Sequence, residues 1–325
     1  MAAAQVTAPG AVELSDIEKS FGSIHAVRAV SLTIGKGEIT GIIGENGAGK
    51  STLMSILYGL YRADAGEIRI DGRPVEIDGP RDAIARGIGM VHQHFMLIDT
   101  FTVLENLVLG AEAGPLLAGG LAAARAELGR LEREYGLMVD PDARVADLSV
   151  GEQQRVEILK VLFRGARILV LDEPSAVLTP QETDQLFRIL ATLKQRGVSV
   201  VLITHKLREI MAVTDKVYVM RQGQVVAERL TRDTSTQELA ELMVGRKVRL
   251  TVDKAAVQPG EARLTAEHLG LVDLRGVRLL DDVSLTVRAG EIVGIAGVSG
   301  NGQTELLQVL AGIRPPTSGR LTVRG

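Results

Sequence analysis

Apolar positions along this chain come in two rhythms. Short runs rich in Val, Ile and Leu, at Glu38–Ile43, Ile168–Leu171, Val198–Ile203 and Lys216–Met220, have the length and β-branched content of buried strands. Between them, apolar residues recur at the three- to four-residue spacing of helices with one buried face. The alternation predicts an α/β fold whose crossover helices cover a sheet. From Thr102 to Tyr135 the texture changes to Ala, Leu, Glu and Arg at helical spacing, broken at Gly114–Pro115 and Gly119–Gly120. That stretch predicts a helical insertion with a mobile loop.

A repeat organises the chain. Val30–Gly72 aligns without a gap on Val283–Gly325, and 17 of the 43 positions are identical. The offset is the size of a domain rather than of a solenoid unit, so the expectation is a tandem duplication of which only the opening of the second copy is present. The expected boundaries are a flexible N-terminus over 1–11, a first domain over 12–250, a linker over 251–262 and the start of a second domain over 263–325. Within the linker, Val252–Glu261 is polar and carries Pro259–Gly260 as a breaker.

Composition narrows the function. With 46% hydrophobic and 24% charged residues in 325, there is material for one or two cores. A net charge of −3 gives no basic field for nucleic acid, and 3% aromatics without Trp gives no stacking platform for single strands. The absence of Cys excludes disulfides, thiolate metal sites and cysteine nucleophiles, and fits a reducing compartment. No run approaches the roughly 20 apolar residues of a membrane span. Met1–Gly10 lacks the basic and apolar regions of a signal peptide. A soluble, cytoplasmic chain is expected.

Gly44–Thr52 reads GENGAGKST, a full match to G-x-x-x-x-G-K-[ST], with a β run before it and a helical pattern over Thr52–Tyr61 after it. In such a loop the backbone wraps a phosphate and successive N–H groups point inward. The following helix adds its N-terminal partial charge. Gly44, Asn46, Gly47, Ala48, Gly49, Lys50, Ser51 and Thr52 are therefore candidate nucleotide contacts. Lys50 supplies charge to the β- and γ-phosphates and the Ser51 hydroxyl a ligand for Mg²⁺.

Ile168–Pro174 reads ILVLDEP. Asp172 and Glu173 emerge at the C-terminal end of a buried strand, where open α/β sheets place ligands. Alone, such a pair reads as a solvated strand-end turn. Beside a phosphate loop, Asp172 becomes a candidate Mg²⁺ group and Glu173 the carboxylate that orients or deprotonates an attacking water.

Taken together, these motifs resemble the ATP-binding-cassette (ABC) ATPases. Leu148–Val161, LSVGEQQRVEILKV, is similar to that family's signature, with Ser149 and Gly151 as its contact positions. Val91–Phe95, VHQHF, resembles the glutamine loop, which makes Gln93 a contact to Mg²⁺ and water. Ile203–Lys206, ITHK, resembles the switch histidine, with His205 bonding the γ-phosphate. Phe21 stands where the family places an aromatic on adenine. The resemblance covers about residues 12–325 and implies a P-loop α/β fold with an antiparallel β subdomain and a helical subdomain over about 95–165.

Within that family the likeness is to double-cassette subunits of bacterial importers for simple sugars and nucleosides, nucleoside-type in texture. It implies ATP and Mg²⁺ as cofactors, and a peripheral place on the cytoplasmic face of the membrane. The implied partners are integral permease subunits, reached through the region after Gln93, and indirectly an extracytoplasmic solute-binding protein. A second cassette, in cis or in a dimer, would pair head to tail, each site joining one phosphate loop to the other cassette's signature. The site around Lys50 would then need a signature that this sequence does not contain, so binding without efficient hydrolysis is expected.

Two departures stand out. Ser175–Pro180 reads SAVLTP, with Thr179 in place of the family's aspartate, which puts communication through this loop in doubt. In the second copy Gly297–Thr304 reads GVSGNGQT, so Gln303 replaces the lysine while Thr304 keeps a hydroxyl. Weak nucleotide binding there and a purely structural loop both remain open. Two other function classes compete: a soluble tandem ATPase of translation or repair, disfavoured by the short linker and by the net charge, and a non-catalytic nucleotide-binding regulator.

Overall fold

The computed structural model describes residues 10–93, 95–110, 117–248, 258–273, 275–297 and 300–324. The chain forms two compact units, residues 1–250 and 251–325.

The first unit opens on strands β1 (Val12–Phe21), β2 (Ile24–Ile34) and β3 (Ile39–Ile43), then helix α1 (Lys50–Leu57). Strands β4 (Ala65–Ile70) and β5 (Arg73–Val75), helix α2 (Pro80–Ala85) and strand β6 (Ile88–Val91) follow. Three helices come next: α3 (Val103–Val108), α4 (Leu117–Tyr135) and α5 (Val150–Phe163). The rest is β7 (Ile168–Asp172), α6 (Pro180–Gln195), β8 (Ser199–Ile203), α7 (Leu207–Val213), β9 (Lys216–Arg221), β10 (Gln224–Leu230) and α8 (Thr236–Val244).

A six-stranded sheet in the order β10-β9-β3-β8-β7-β6 carries the unit, parallel except for β10. Strands β3, β7 and β8 are buried at every residue, as near-continuous apolar runs require when both faces are covered. Successive side chains point to opposite faces and enter different cores. Leu169, Leu171, Val200 and Leu202 join the helices, whereas Ile168, Val170, Val201 and Ile203 meet the core under the antiparallel sheet β2-β1-β4-β5. The C-terminal ends of β3, β7 and β8 thus emerge together between two cores, and the motifs follow directly after them.

The helical layer is built on α3, α4 and α5. Leu104 and Leu107 of α3, Leu128 and Leu131 of α4 and Val156 and Leu159 of α5 share one core. On the outer side of α4, Arg130 pairs with Glu127 and Glu134 at helical spacing, a solvated face. Helix α4 runs unbroken through Gly119–Gly120, so that pair is no interruption: two glycines cost propensity, but Leu128 and Leu131 downstream anchor the helix by packing. Gly114–Pro115 lies outside the described residues. No helix among the described residues is long and apolar enough to cross a membrane.

Some expected boundaries shift. Helix α1 starts at Lys50, not Thr52, and stops at Leu57, where Gly59 turns left-handed at φ +79°. The flexible N-terminus expected over 1–11 does not include Ala11, which is buried and donates its amide to the Ile34 carbonyl at 2.8 Å. Met1–Pro9 and Val252–Val257 of the expected linker lie outside the described residues. Gly260 already bonds Ala289 at 2.9 Å.

The second unit has strands β11 (Ala262–Val272), β12 (Arg278–Arg288) and β13 (Ser318–Val323) in the order β12-β11-β13, with helix α9 (Gln303–Leu310). Its core joins Leu269, Leu271 and Leu280 to Leu306 and Val309. The repeat extends to irregularities. Asp16 and His268 both sit at positive φ and both donate their amides to a serine hydroxyl, Ser31 and Ser284, at 2.9 Å. One part differs: Ile292 is 83% exposed where its match Ile39 in β3 is 2% exposed. In the first unit β3 lies between β8 and β9, and the described residues of the second unit form no such neighbours.

Candidate nucleotide site

The loop Gly44–Gly49 joins β3 to α1 and is held by packing as much as by sequence. A Cβ on Gly49 would stand 2.3 Å from the Ala26 carbonyl oxygen, and its φ of +95° is a conformation only glycine adopts freely. Gly47, at φ +81°, faces open space. The concave side of the loop is therefore free for a ligand while its back rests on β2. Asn46, Gly47, Ala48, Gly49, Lys50, Ser51 and Thr52 line a cavity of about 290 Å³ with Gln93 and Glu173.

Lys50 is 6% exposed, and its ammonium donates to the carbonyls of Gly44 at 2.8 Å and Glu45 at 2.9 Å. Burial pulls it below the ordinary lysine value, against the field of Glu173 and Asp172. A cation held short of full solvation beside inward-facing amides fits a polyphosphate. The Ser51 side chain acts on the Asp172 carboxyl and favours its charged form. Burial pushes that carboxyl above its usual range and Glu173 adds to the rise, while Ser51, Lys50 and His92 oppose it. A hydroxyl and a carboxylate are the hard oxygen donors that Mg²⁺ takes from a protein when phosphates and water supply the rest.

Glu173 follows β7 with φ +46° and donates its amide to the Ile203 carbonyl at 2.9 Å. Its carboxylate meets Nδ1 of His205, just past β8, at 2.9 Å. The two candidate groups, 32 residues apart in sequence, are thus brought into direct contact. A larger cavity of about 600 Å³, lined by Tyr61, Arg62, Glu67 and Val75 among others, includes none of the motif residues.

A family model described as "ABC transporter" matches residues 27–176 and 280–325. The chain belongs to the ABC transporter family. The glucose import ATP-binding protein of Haloferax volcanii is 49% identical, over 97% of this chain and 62% of that protein. The guanosine import ATP-binding protein of Bacillus subtilis is 50% identical, over 97% of this chain and 62% of that protein. The chain therefore spans about 62% of the length of these relatives. Among solved structures, the ADP conformation of an ATP-binding cassette of an ABC transporter matches with TM-score 0.64 and 28% identity, over 72% of this chain and 98% of that one.

The ABC fold does not bring every candidate to the cavity. Phe21 ends β1, 42% exposed, with its ring 5.1 Å from Tyr61 edge-on and Lys19 5.6 Å from its centroid. It does not line the cavity, although β2, the other strand of its hairpin, backs Gly49 through Ala26. Ser149 and Gly151 start α5 and are also absent from the lining. Ser149 caps α5 in a reciprocal box with Glu152, and the Gly151 amide donates to Glu182 at 3.2 Å. His94, within the glutamine loop, lies outside the described residues.

Three contacts lie outside the expectations drawn from the sequence. Thr179, where the ABC family has an aspartate, caps α6 by a reciprocal box with Glu182, the same carboxylate that takes the Gly151 amide. Gln154 donates to the Pro174 carbonyl at 2.6 Å. The loop after Glu173 is thus tied to the signature helix without the aspartate. The third is Glu209, buried beneath the Glu173 and His205 loops. Only its position four residues after His205 hints at a shared helical turn.

Proposed function

We propose that this chain binds Mg-ATP at the Lys50 loop and belongs to the ATP-hydrolysing subunit of a membrane importer for nucleosides or simple sugars. The observation that carries the reading is the meeting of Glu173 and His205 at the edge of a cavity formed by the phosphate loop. Lys50 would exchange its two carbonyl partners for β- and γ-phosphate oxygens, and the loop amides would take the remaining charge. Ser51, Asp172 and Gln93 would hold Mg²⁺, which supplies charge neutralisation at the phosphates. Glu173 orients water and accepts its proton, and His205 keeps that carboxylate turned toward the cavity while reaching the γ-phosphate. Ser149 and Gly151, outside the cavity, suit a partner site in a head-to-tail pair, with a second cassette in cis or a second chain.

The guanosine and glucose importers among the relatives support the transported class. By that reading the chain is peripheral at the cytoplasmic face of the membrane. Its partners are permease subunits and, through them, a solute-binding protein. The test is calorimetry with Mg-ATP. Lys50→Ala should weaken binding about tenfold or more by removing a charge-assisted hydrogen bond. In a two-cassette subunit that carries this chain, Glu173→Gln should keep binding and lower phosphate release by about 10²–10⁴-fold. Equal affinity of Lys50→Ala and the parent would remove the loop from nucleotide binding.

A further inference from the structure

Glu209 is buried in the first turn of α7, 5% exposed, and takes no part in the mechanism above. Each of its carboxylate oxygens serves a different loop. One accepts the Ser175 hydroxyl, and the other accepts the Thr204 hydroxyl at 3.1 Å. Ser175 lies two residues after Glu173, and Thr204 directly precedes His205. Lys206 closes the cluster, with its ammonium 3.3 Å from the Glu209 carboxylate, 2.9 Å from the Ser175 carbonyl and 3.0 Å from the Ser175 hydroxyl. The Lys206 amide donates to the Thr204 hydroxyl at 3.0 Å.

A buried carboxylate is costly unless its hydrogen bonds are made, and here two hydroxyls and an ammonium make them. Packing does not require it. Ile210, the next residue, is fully buried and already anchors α7 on the sheet. What the carboxylate adds is registration. The backbone bond from Glu173 to Ile203 fixes the roots of the two loops, and Glu209 fixes Ser175 beyond Glu173 and Thr204 just before His205.

We infer that Glu209 is a positioning residue, whose bridge between Ser175 and Thr204 holds Glu173 and His205 in the geometry that aligns water. This rests on the catalytic reading of Glu173 and His205. An amide at 209 can accept from only one of the two hydroxyls and must meet the other with an N–H beside the Lys206 ammonium, so Glu209→Gln should weaken the bridge between the loops. Loss of about an ångström of registration in an alignment step costs roughly ten- to a hundredfold in rate.

The experiment is steady-state phosphate release and Mg-ATP titration on a two-cassette subunit that carries this chain, in which the Lys50 site meets a second signature. Glu209→Gln should lower kcat about tenfold or more and leave KM and binding within about twofold. Ser175→Ala breaks the bridge from the other side without changing the buried carboxylate, and should do the same if Glu209→Gln folds poorly. In a Glu173→Gln background, Glu209→Gln should have a much smaller effect than in the parent, because one of the two groups it positions no longer acts. General destabilisation would instead add to the loss. A kcat unchanged in both Glu209→Gln and Ser175→Ala, or additive losses in the double variant, overturns the positioning role. Turnover retained in Glu173→Gln overturns the catalytic reading, and the positioning role with it.

Discussion

Glu173 sits at φ +46°, a conformation in which an L-residue crowds its own carbonyl at a cost of about 1–2 kcal/mol. Strain of this kind persists where the surroundings over-determine it, and here a backbone bond to Ile203 and a side-chain bond to His205 both do so. The strain turns the carboxylate off the line of β7 and into the cavity. Comparing Glu173→Gly with Glu173→Ala isolates it, since both lose the side chain. In an ordinary strand or helix the alanine variant is the more stable; here the glycine variant should lead, by about 1 kcal/mol in urea unfolding. An alanine variant as stable as the glycine one would mean that the backbone at 173 is relaxed. Both should lack turnover, so this comparison separates the conformational role of the position from its chemistry.

Three helices of the first unit begin with the same device: Thr102 with Glu105 on α3, Ser149 with Glu152 on α5, and Thr179 with Glu182 on α6. In each, a hydroxyl takes the amide of the third helical residue and the glutamate returns to the cap amide. Thr179→Ala should cost about 1 kcal/mol. The Glu182 carboxyl is held below its usual range, first by the Thr179 amide and with help from its hydroxyl and the Gly151 amide. A depressed carboxyl stabilises the fold above its ordinary range, and that contribution disappears as pH falls through the range toward the folded value. The stability gap between the parent and Glu182→Gln should therefore be full at pH 7 and shrink below about pH 4. A gap independent of pH would mean that the charge on Glu182 does nothing for α6. The boxes were legible in sequence only as T-x-x-E and S-x-x-E spacings. That Glu182 also reaches Gly151, 31 residues away, depends on how α5 and α6 pack. Strands β3, β7 and β8 and the phosphate loop were readable because local spacing fixes them. Glu209 was not, because its partners at Ser175 and Thr204 come from the ends of two other strands. The unbroken α4 was missed for a similar reason: packing at Leu128 and Leu131 outweighs the local preference of Gly119–Gly120.

Across the whole molecule, the described ends of the second loop repeat those of the first. Gly302 starts α9 at φ +84° as Gly49 starts α1 at φ +95°. A Cβ on Gly297 would lie 2.0 Å from the Gln303 amide nitrogen, so Gln303 folds over Gly297 as Lys50 folds over Gly44. The missing part is the charge. A neutral amide in place of an ammonium forfeits a charge-assisted bond of about 1.5–3 kcal/mol, or roughly tenfold to a hundredfold in affinity. Thr304 retains the hydroxyl that Ser51 offers in the first loop. In a Lys50→Ala chain, where the first loop is weakened, adding Gln303→Lys should strengthen Mg-ATP binding by about tenfold or more. Unchanged affinity would make the second loop a structural element only. Turnover is a separate matter, because a lysine neutralises phosphate charge but cannot orient water. Gln303→Lys introduced into Glu173→Gln should therefore bind more nucleotide and remain slow. Phosphate release restored in that double variant would mean that the second unit reaches a water-orienting group of its own, and that the two loops differ in their lysine alone.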